Sequence, residues 1–277
     1  MERRTRVYPA QRRCGGWTSV ALLGMAALLV VSGLLWREGE TVELAVEPLL
    51  TNTPFPLEER FDETPAQQEI VLEASEWHAL QLGAFENEAA AKELAEQYTR
   101  RGAAGYVWND GRYRVLAAVY PLKEDAQQVR QQLQLQHEIE TYLYQVKLPE
   151  IHVRLSGKQG QLDILQAALI HGNDLLAELQ RMSVAMDRQE LNTAEALDEL
   201  GALHEQISLV ALRLKQRFVS PMHTAVAEML KCLEQYGAFY ASLEESISQV
   251  ALGTKLKHQT LETLKGLKNV YDTLSHT

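Results

Sequence analysis

Residues 77–85 read WHALQLGAF, and residues 106–120 read YVWNDGRYRVLAAVY. In the first stretch Leu80 and Leu82 alternate with Ala79, Gln81 and Gly83, the period of a half-buried strand. In the second, Asn109-Asp110-Gly111 separates two apolar runs, and an Asp-Gly pair tolerates the positive φ angles of a tight hairpin. Residues 106–108 and 112–120 are therefore predicted strands. Strict alternation places Arg112 and Arg114 on one face and Val115, Ala117 and Val119 on the other. Between the two stretches, Asn87 is placed to cap a helix carrying Ala90, Leu94 and Tyr98 on one stripe. Beyond them, residues 123–137 predict a second helix with Ala126, Val129 and Leu133 inward. Residues 139–148 (IETYLYQVKL) predict a last strand, closed off by Pro149. The order β-α-β-β-α-β over residues 75–149 predicts an α+β unit, a four-stranded sheet with two helices on one face.

Residues 150–277 carry a different pattern. A short apolar stretch at 151–155 leads into SGKQG at 156–160, which reads as a turn. Four long segments of helical period follow. Leu162, Leu165, Leu169, Leu176 and Leu179 mark the first. Asn192, with Glu195 three residues on, starts the second, which continues through Leu197, Leu200, Leu203, Ile207 and Val210. Ser220-Pro221 opens the third, through Val226, Met229, Leu233, Tyr236 and Tyr240 to about residue 250. Gly253 reads as its break, and Leu256, Leu261, Leu264, Leu267 and Tyr271 mark the fourth. Long helices on short connections predict an all-α region, an antiparallel bundle or hairpin pair.

Toward the N-terminus, residues 37–74 set ten carboxylates and two Arg among Pro48, Pro54, Pro56 and Pro65. No period survives there, so the segment reads as an acidic, solvated linker. Residues 17–36 (WTSVALLGMAALLVVSGLLW) hold no charge, and a helix of that length spans roughly 30 Å, the thickness of a bilayer core. Trp17 and Trp36 stand where aromatic rings prefer the headgroups. Residues 1–16 form a basic tail with Arg3, Arg4, Arg6, Arg12 and Arg13. The positive-inside rule then leaves the tail in the cytoplasm and exports everything after the span. An uncleaved anchor is favoured over a signal peptide, because the run ends in Leu34-Leu35-Trp36 and not in small residues.

The net charge of −10 is concentrated in the linker, so no segment after the tail offers a basic footprint, and nucleic acid is excluded as a partner. Cys14 and Cys232 fall on opposite sides of the span and form no disulfide framework. The eight His are scattered without metal-ligand spacing, so neither metal nor cofactor is expected.

At residues 77–85 and 111–115 the chain resembles the SPOR (sporulation-related repeat) domain. The resemblance rests on Gln81, Gly83, Phe85, Ala89, Ala90, Ala91, Gly102, Gly111, Arg114, Val115 and Ala126, in order, over about 75 residues. It implies a peptidoglycan-binding module, with preference for glycan strands stripped of their stem peptides, as at a septum being split. It also implies a cleft on the sheet face left free of helices, with Gln81, Gly83, Arg112 and Arg114 as candidate glycan ligands. Arginine offers a flat fork of donors, and an amide both donates and accepts, which suits sugar hydroxyls and N-acetyl groups. The chain departs from the family pattern at Ala118-Val119-Tyr120, where Gly-Pro-aromatic is usual, and at Arg112, where an aromatic is common.

The expectation is a non-catalytic, single-pass membrane protein that binds peptidoglycan in cell division or sporulation. Its C-terminal helices offer a surface to a possible protein partner. A wall hydrolase is disfavoured, because the helical region lacks the His and Glu constellation of a zinc amidase. The alternative is an envelope scaffold whose sheet module binds protein and whose helices drive assembly.

Overall fold

In the computed structural model, which describes residues 63–218 and 222–276, the Asp110-Gly111 pair closes a hairpin. Its strands pair from Asn109 opposite Tyr113 to Tyr106 opposite Leu116. Gly111 sits at φ +100°, which side chains with a Cβ rarely adopt, and its N–H donates to Asn109 Oδ1 at 3.0 Å. The elements in chain order are β1 (Pro65–Leu72), β2 (Ser75–Phe85), α1 (Glu88–Thr99), β3 (Tyr106–Asn109), β4 (Tyr113–Tyr120), α2 (Lys123–His137), β5 (Tyr142–Leu148) and β6 (Ile151–Lys158). Four long helices follow, α3 (Gln159–Asp187), α4 (Thr193–Arg217), α5 (Thr224–Ala241) and α6 (Gln249–Ser275).

Strands β2 to β5 form the four-stranded antiparallel sheet read from the sequence, in the order β3-β4-β2-β5. Helices α1 and α2 cover one face. Asn87 caps α1 as expected, accepting from the Ala89 N–H at 2.8 Å. The inward side of α1 is Ala91 and Ala95 with Leu94 beside them, one position round from the stripe expected. Small side chains there let the helix lie close to Val115 of the sheet. Ala126, Val129 and Leu133 of α2 pack on Leu80 and Ala118, as predicted.

Two register shifts in the β2–β4 ladder overturn the strict alternation. Leu80 faces Ala118 while Gln81 faces Leu116, so Ala117 is an extra residue on β4. Ala117 and Ala118 therefore both lie in the cluster under α2, and Val119 moves to the face of Arg114 and Leu116. Leu82 is the matching extra residue on β2, since Gly83 pairs with Val115. The shift turns Gly83 toward α1, where an added Cβ would stand 3.0 Å from Leu94 Cδ2. Gly83 leaves room for a helix.

The acidic linker is corrected at its end. Residues 65–72 (PAQQEIVL) form β1, paired along its whole length with β6 from Pro65 opposite Lys158 to Leu72 opposite Ile151. Ile70, Leu72, Ile151 and Val153 turn inward against α3 and join the main core. The turn expected at residues 156–160 is absent for the same reason: β6 runs to Lys158, and α3 begins at Gln159.

Helices α3 to α6 form a closed four-helix bundle in which each packs on its sequence neighbours and α3 on α6. Asn192 and Glu195 make the expected reciprocal cap of α4, at 3.0 and 3.1 Å. Ser220 and Pro221 lie outside the described residues, and α5 starts at Thr224 with His223 as its cap. Gly253 breaks nothing: α5 ends at Ala241, and Ser248 caps α6, which passes through Gly253. Cys232 is buried in the bundle, its Sγ donating to Thr263 O at 3.8 Å, and burial pushes its thiol pKa up to about 12. Among the described residues no helix is long and apolar enough to cross a membrane. The basic tail at 1–16, the span at 17–36 and the linker up to residue 62 lie outside them.

Candidate functional site

The face of the sheet opposite α1 and α2 carries Trp77, Ala79 and Gln81 from β2, Tyr106 and Trp108 from β3, and Arg114, Leu116 and Val119 from β4. Tyr142, Tyr144, Val146 and Leu148 of β5 complete it, opposite the matching β2 positions. The sequence led to an expectation that this face is free of helices. It is not. The last helix, α6, lies across it, and the apolar residues of the face share one continuous core with the bundle. The Tyr106 ring meets His258 edge-on at 5.1 Å between centroids, and His258 Nδ1–H donates to Ala104 O at 3.0 Å. Lys257 Nζ donates to Gly102 O at 3.0 Å and pairs with Asp187 at 2.6 Å, pinning α6 to α3 and to the loop before β3. Burial, with Glu262 beside it, pushes the Tyr106 hydroxyl well above its ordinary range, so it stays protonated.

What remains accessible is the end of the face beside the Asp110-Gly111 turn. There Arg114 donates from Nε to both oxygens of Asp110, at 3.0 and 2.9 Å, and from Nη1 to Gln81 Oε1 at 3.0 Å. Its guanidinium lies over the Tyr144 ring, 4.7 Å from the centroid, and the Tyr144 hydroxyl donates to Asp110 Oδ2 at 2.9 Å. Behind it Trp108, only 1% exposed, meets Tyr144 edge-on at 6.2 Å, and the ammonium of Lys265, from α6, stands 4.7 Å from the centre of the Trp108 ring. Tyr142 is 60% exposed at the rim.

The electrostatics follow from this geometry. Partial burial raises the Asp110 pKa, but hydrogen bonds from Arg114 and Tyr144, the Arg114 charge and the Arg112 backbone outweigh it. The carboxyl is held below its ordinary value of 3.8. Burial and the Asp110 carboxylate together push the Tyr144 hydroxyl up to about 12, so near neutrality it remains a donor.

Of the four residues singled out by sequence, the structure joins Gln81 and Arg114 directly. Arg112 lies beside them in the turn, outside β4, with one long bond of 3.5 Å from Nη2 to Ala84 O. Gly83 is on the other face. Asp110, Tyr144, Trp108 and Lys265 were missed. The Tyr142-Leu143-Tyr144 alternation signalled a tyrosine pair on one face, whereas nothing local tied Asp110 or Lys265 to Arg114.

Chemically, this end of the sheet presents the rings of Tyr142 and Tyr144 edged by donors. Gln81 spends its oxygen on Arg114, and its amide N–H groups have no partner among the described residues. Arg114 Nη2 is likewise free of described partners, and Arg112 is exposed. Planar rings with outward donors suit a ligand that has flat apolar sugar faces and many oxygen acceptors. Comparisons of the chain with curated proteins and with solved structures found no match. The family model of the SPOR domain does match, over residues 74–145, and this part of the chain is a SPOR domain.

Proposed function

We propose that this protein is a non-catalytic, single-pass membrane protein that binds peptidoglycan glycan strands at the open end of its SPOR sheet. SPOR domains are binding modules, generally for peptidoglycan, and are linked to cell division. The observation that carries the finer reading is the cluster of Gln81, Arg114, Asp110 and Tyr144, which fixes a guanidinium over an aromatic ring and leaves donors on Gln81 and Arg114 unspent. Glycan stripped of its stem peptides fits such a surface best, because bare sugar rings reach a floor that peptides would hold them away from. The uncharged run between Trp17 and Trp36 supports a membrane anchor with the SPOR domain exported, and a septal or sporulation setting follows from the domain type.

The covering of most of the sheet by α6 favours a second reading, an envelope scaffold whose remaining surface binds protein. Sedimentation with amidase-treated sacculi separates the two. The full-length chain pellets with the wall if glycan is the ligand, and the Gln81→Ala/Arg114→Ala double variant stays in solution. Equal pelleting of both forms, or of neither, removes the glycan site from this end of the sheet.

A further inference from the structure

Lys265 is a half-buried cation that forms no hydrogen bond or ion pair with any described residue. It belongs to α6, outside the SPOR domain, yet its ammonium stands 4.7 Å from the centre of the Trp108 ring at the edge of the open site. Of the other basic groups nearby, Arg112 is exposed to solvent, whereas Arg114 and Lys268 each hold a carboxylate. Arg114 is spent on Asp110 and Gln81, and Lys268 is paired with Asp272 at 2.8 Å. Burial and the neighbouring Lys268 disfavour the Lys265 charge, and Asp110, Asp272 and Glu262 favour it only from a distance. The ammonium has thus lost part of its solvent and gained a ring face but no anion, which leaves room for a ligand that supplies one.

We infer that the glycan site is composite, and that Lys265 of the bundle pairs with a sugar-borne carboxylate when a strand lies across Tyr142 and Tyr144. This rests on the glycan reading above and deepens it. Removing a stem peptide by hydrolysis of its amide bond leaves the lactyl ether of the muramic sugar ending in a free carboxylate. In an intact strand that position is a neutral amide. A lysine placed beside the sugar-stacking rings therefore distinguishes the two by charge. The glycan contact spans two parts of the chain, and the selective element sits in the bundle.

The test uses the full-length chain and amidase-treated sacculi, before and after the lactyl carboxylates are capped as methylamides. Capping is expected to weaken binding of the wild-type chain and of Lys265→Arg roughly tenfold, the worth of one charge-assisted hydrogen bond. Lys265→Gln should bind as weakly as the wild type does to capped wall and be indifferent to capping. Thermal unfolding of all three forms should coincide. If Lys265→Gln binds uncapped wall like the wild type while Gln81→Ala/Arg114→Ala does not, the composite site is overturned and the glycan reading stands. If capping weakens Lys265→Gln and the wild type alike, the carboxylate pairing is overturned. If Lys265→Gln loses as much on intact sacculi, the carboxylate belongs to the stem peptide and the lactyl assignment falls. If the wild-type chain pellets with neither wall, the glycan reading fails and takes this inference with it.

Discussion

At the scale of single residues, Asp110 holds the open site together, because Arg114 and Tyr144 both donate to its carboxylate. Its pKa is lower in the folded chain than its ordinary value of 3.8. The stabilisation it brings is therefore present above that value and lost as pH falls through the lower, folded pKa. Asp110→Asn should cost about 1 kcal/mol near neutral pH, modest because water screens the pair. The gap between the two unfolding midpoints should close as the solution is acidified below the carboxylate range. A gap that persists in acid would show that shape, not charge, is what Asp110 contributes. Tyr144 keeps its proton through the same range and only loses its acceptor.

At the scale of elements, strands and helices with local signals were legible in the sequence. The β3–β4 hairpin, α1 and α2 each announced themselves through a turn pair, a cap or a period confined to a few residues. Strand β1 did not, because its partner β6 lies far along the chain and only Ile70 and Leu72 of its residues are buried. Truncating Ile70 to Ala should cost roughly 2 kcal/mol or more, as for other buried aliphatic side chains, measured by denaturant unfolding. A solvated tether would feel nothing. The bulges were equally hidden: one extra residue on each strand exchanges faces, and no single-strand period reports it. The covering of the sheet by α6 escaped notice for another reason. This helix is buried on two sides, but Thr254 and Thr260 lie among its buried residues and make it look half polar. Their hydroxyls donate to the carbonyls of Val250 and Leu256, each at 2.8 Å, so the helix satisfies them internally.

At the scale of the whole molecule, the SPOR sheet and the helical bundle share one core, so the domain boundary drawn from the sequence near residue 149 is not a boundary of packing. A fragment covering residues 74–149 would bare Trp77, Tyr106, Trp108, Leu116, Val119, Val146 and Leu148 together. An apolar patch of at least several hundred Å² is roughly what soluble monomers avoid exposing. The fragment should bind an apolar reporter dye and self-associate, whereas the chain with its bundle should do neither. A monodisperse fragment silent to the dye would mean that the sheet is finished without α6. The β1–β6 ribbon has a mechanical consequence. Thr64, immediately before β1, accepts from the Gln159 N–H at 2.9 Å, and Glu63 pairs with Lys158. Under the proposed function, in which the preceding chain is anchored in a membrane and the sheet end grips the wall, traction between the two would enter at this clasp. The eight-residue ladder would then be strained before the sheet is, and a reversible zipper would absorb envelope movement ahead of the proposed glycan contact.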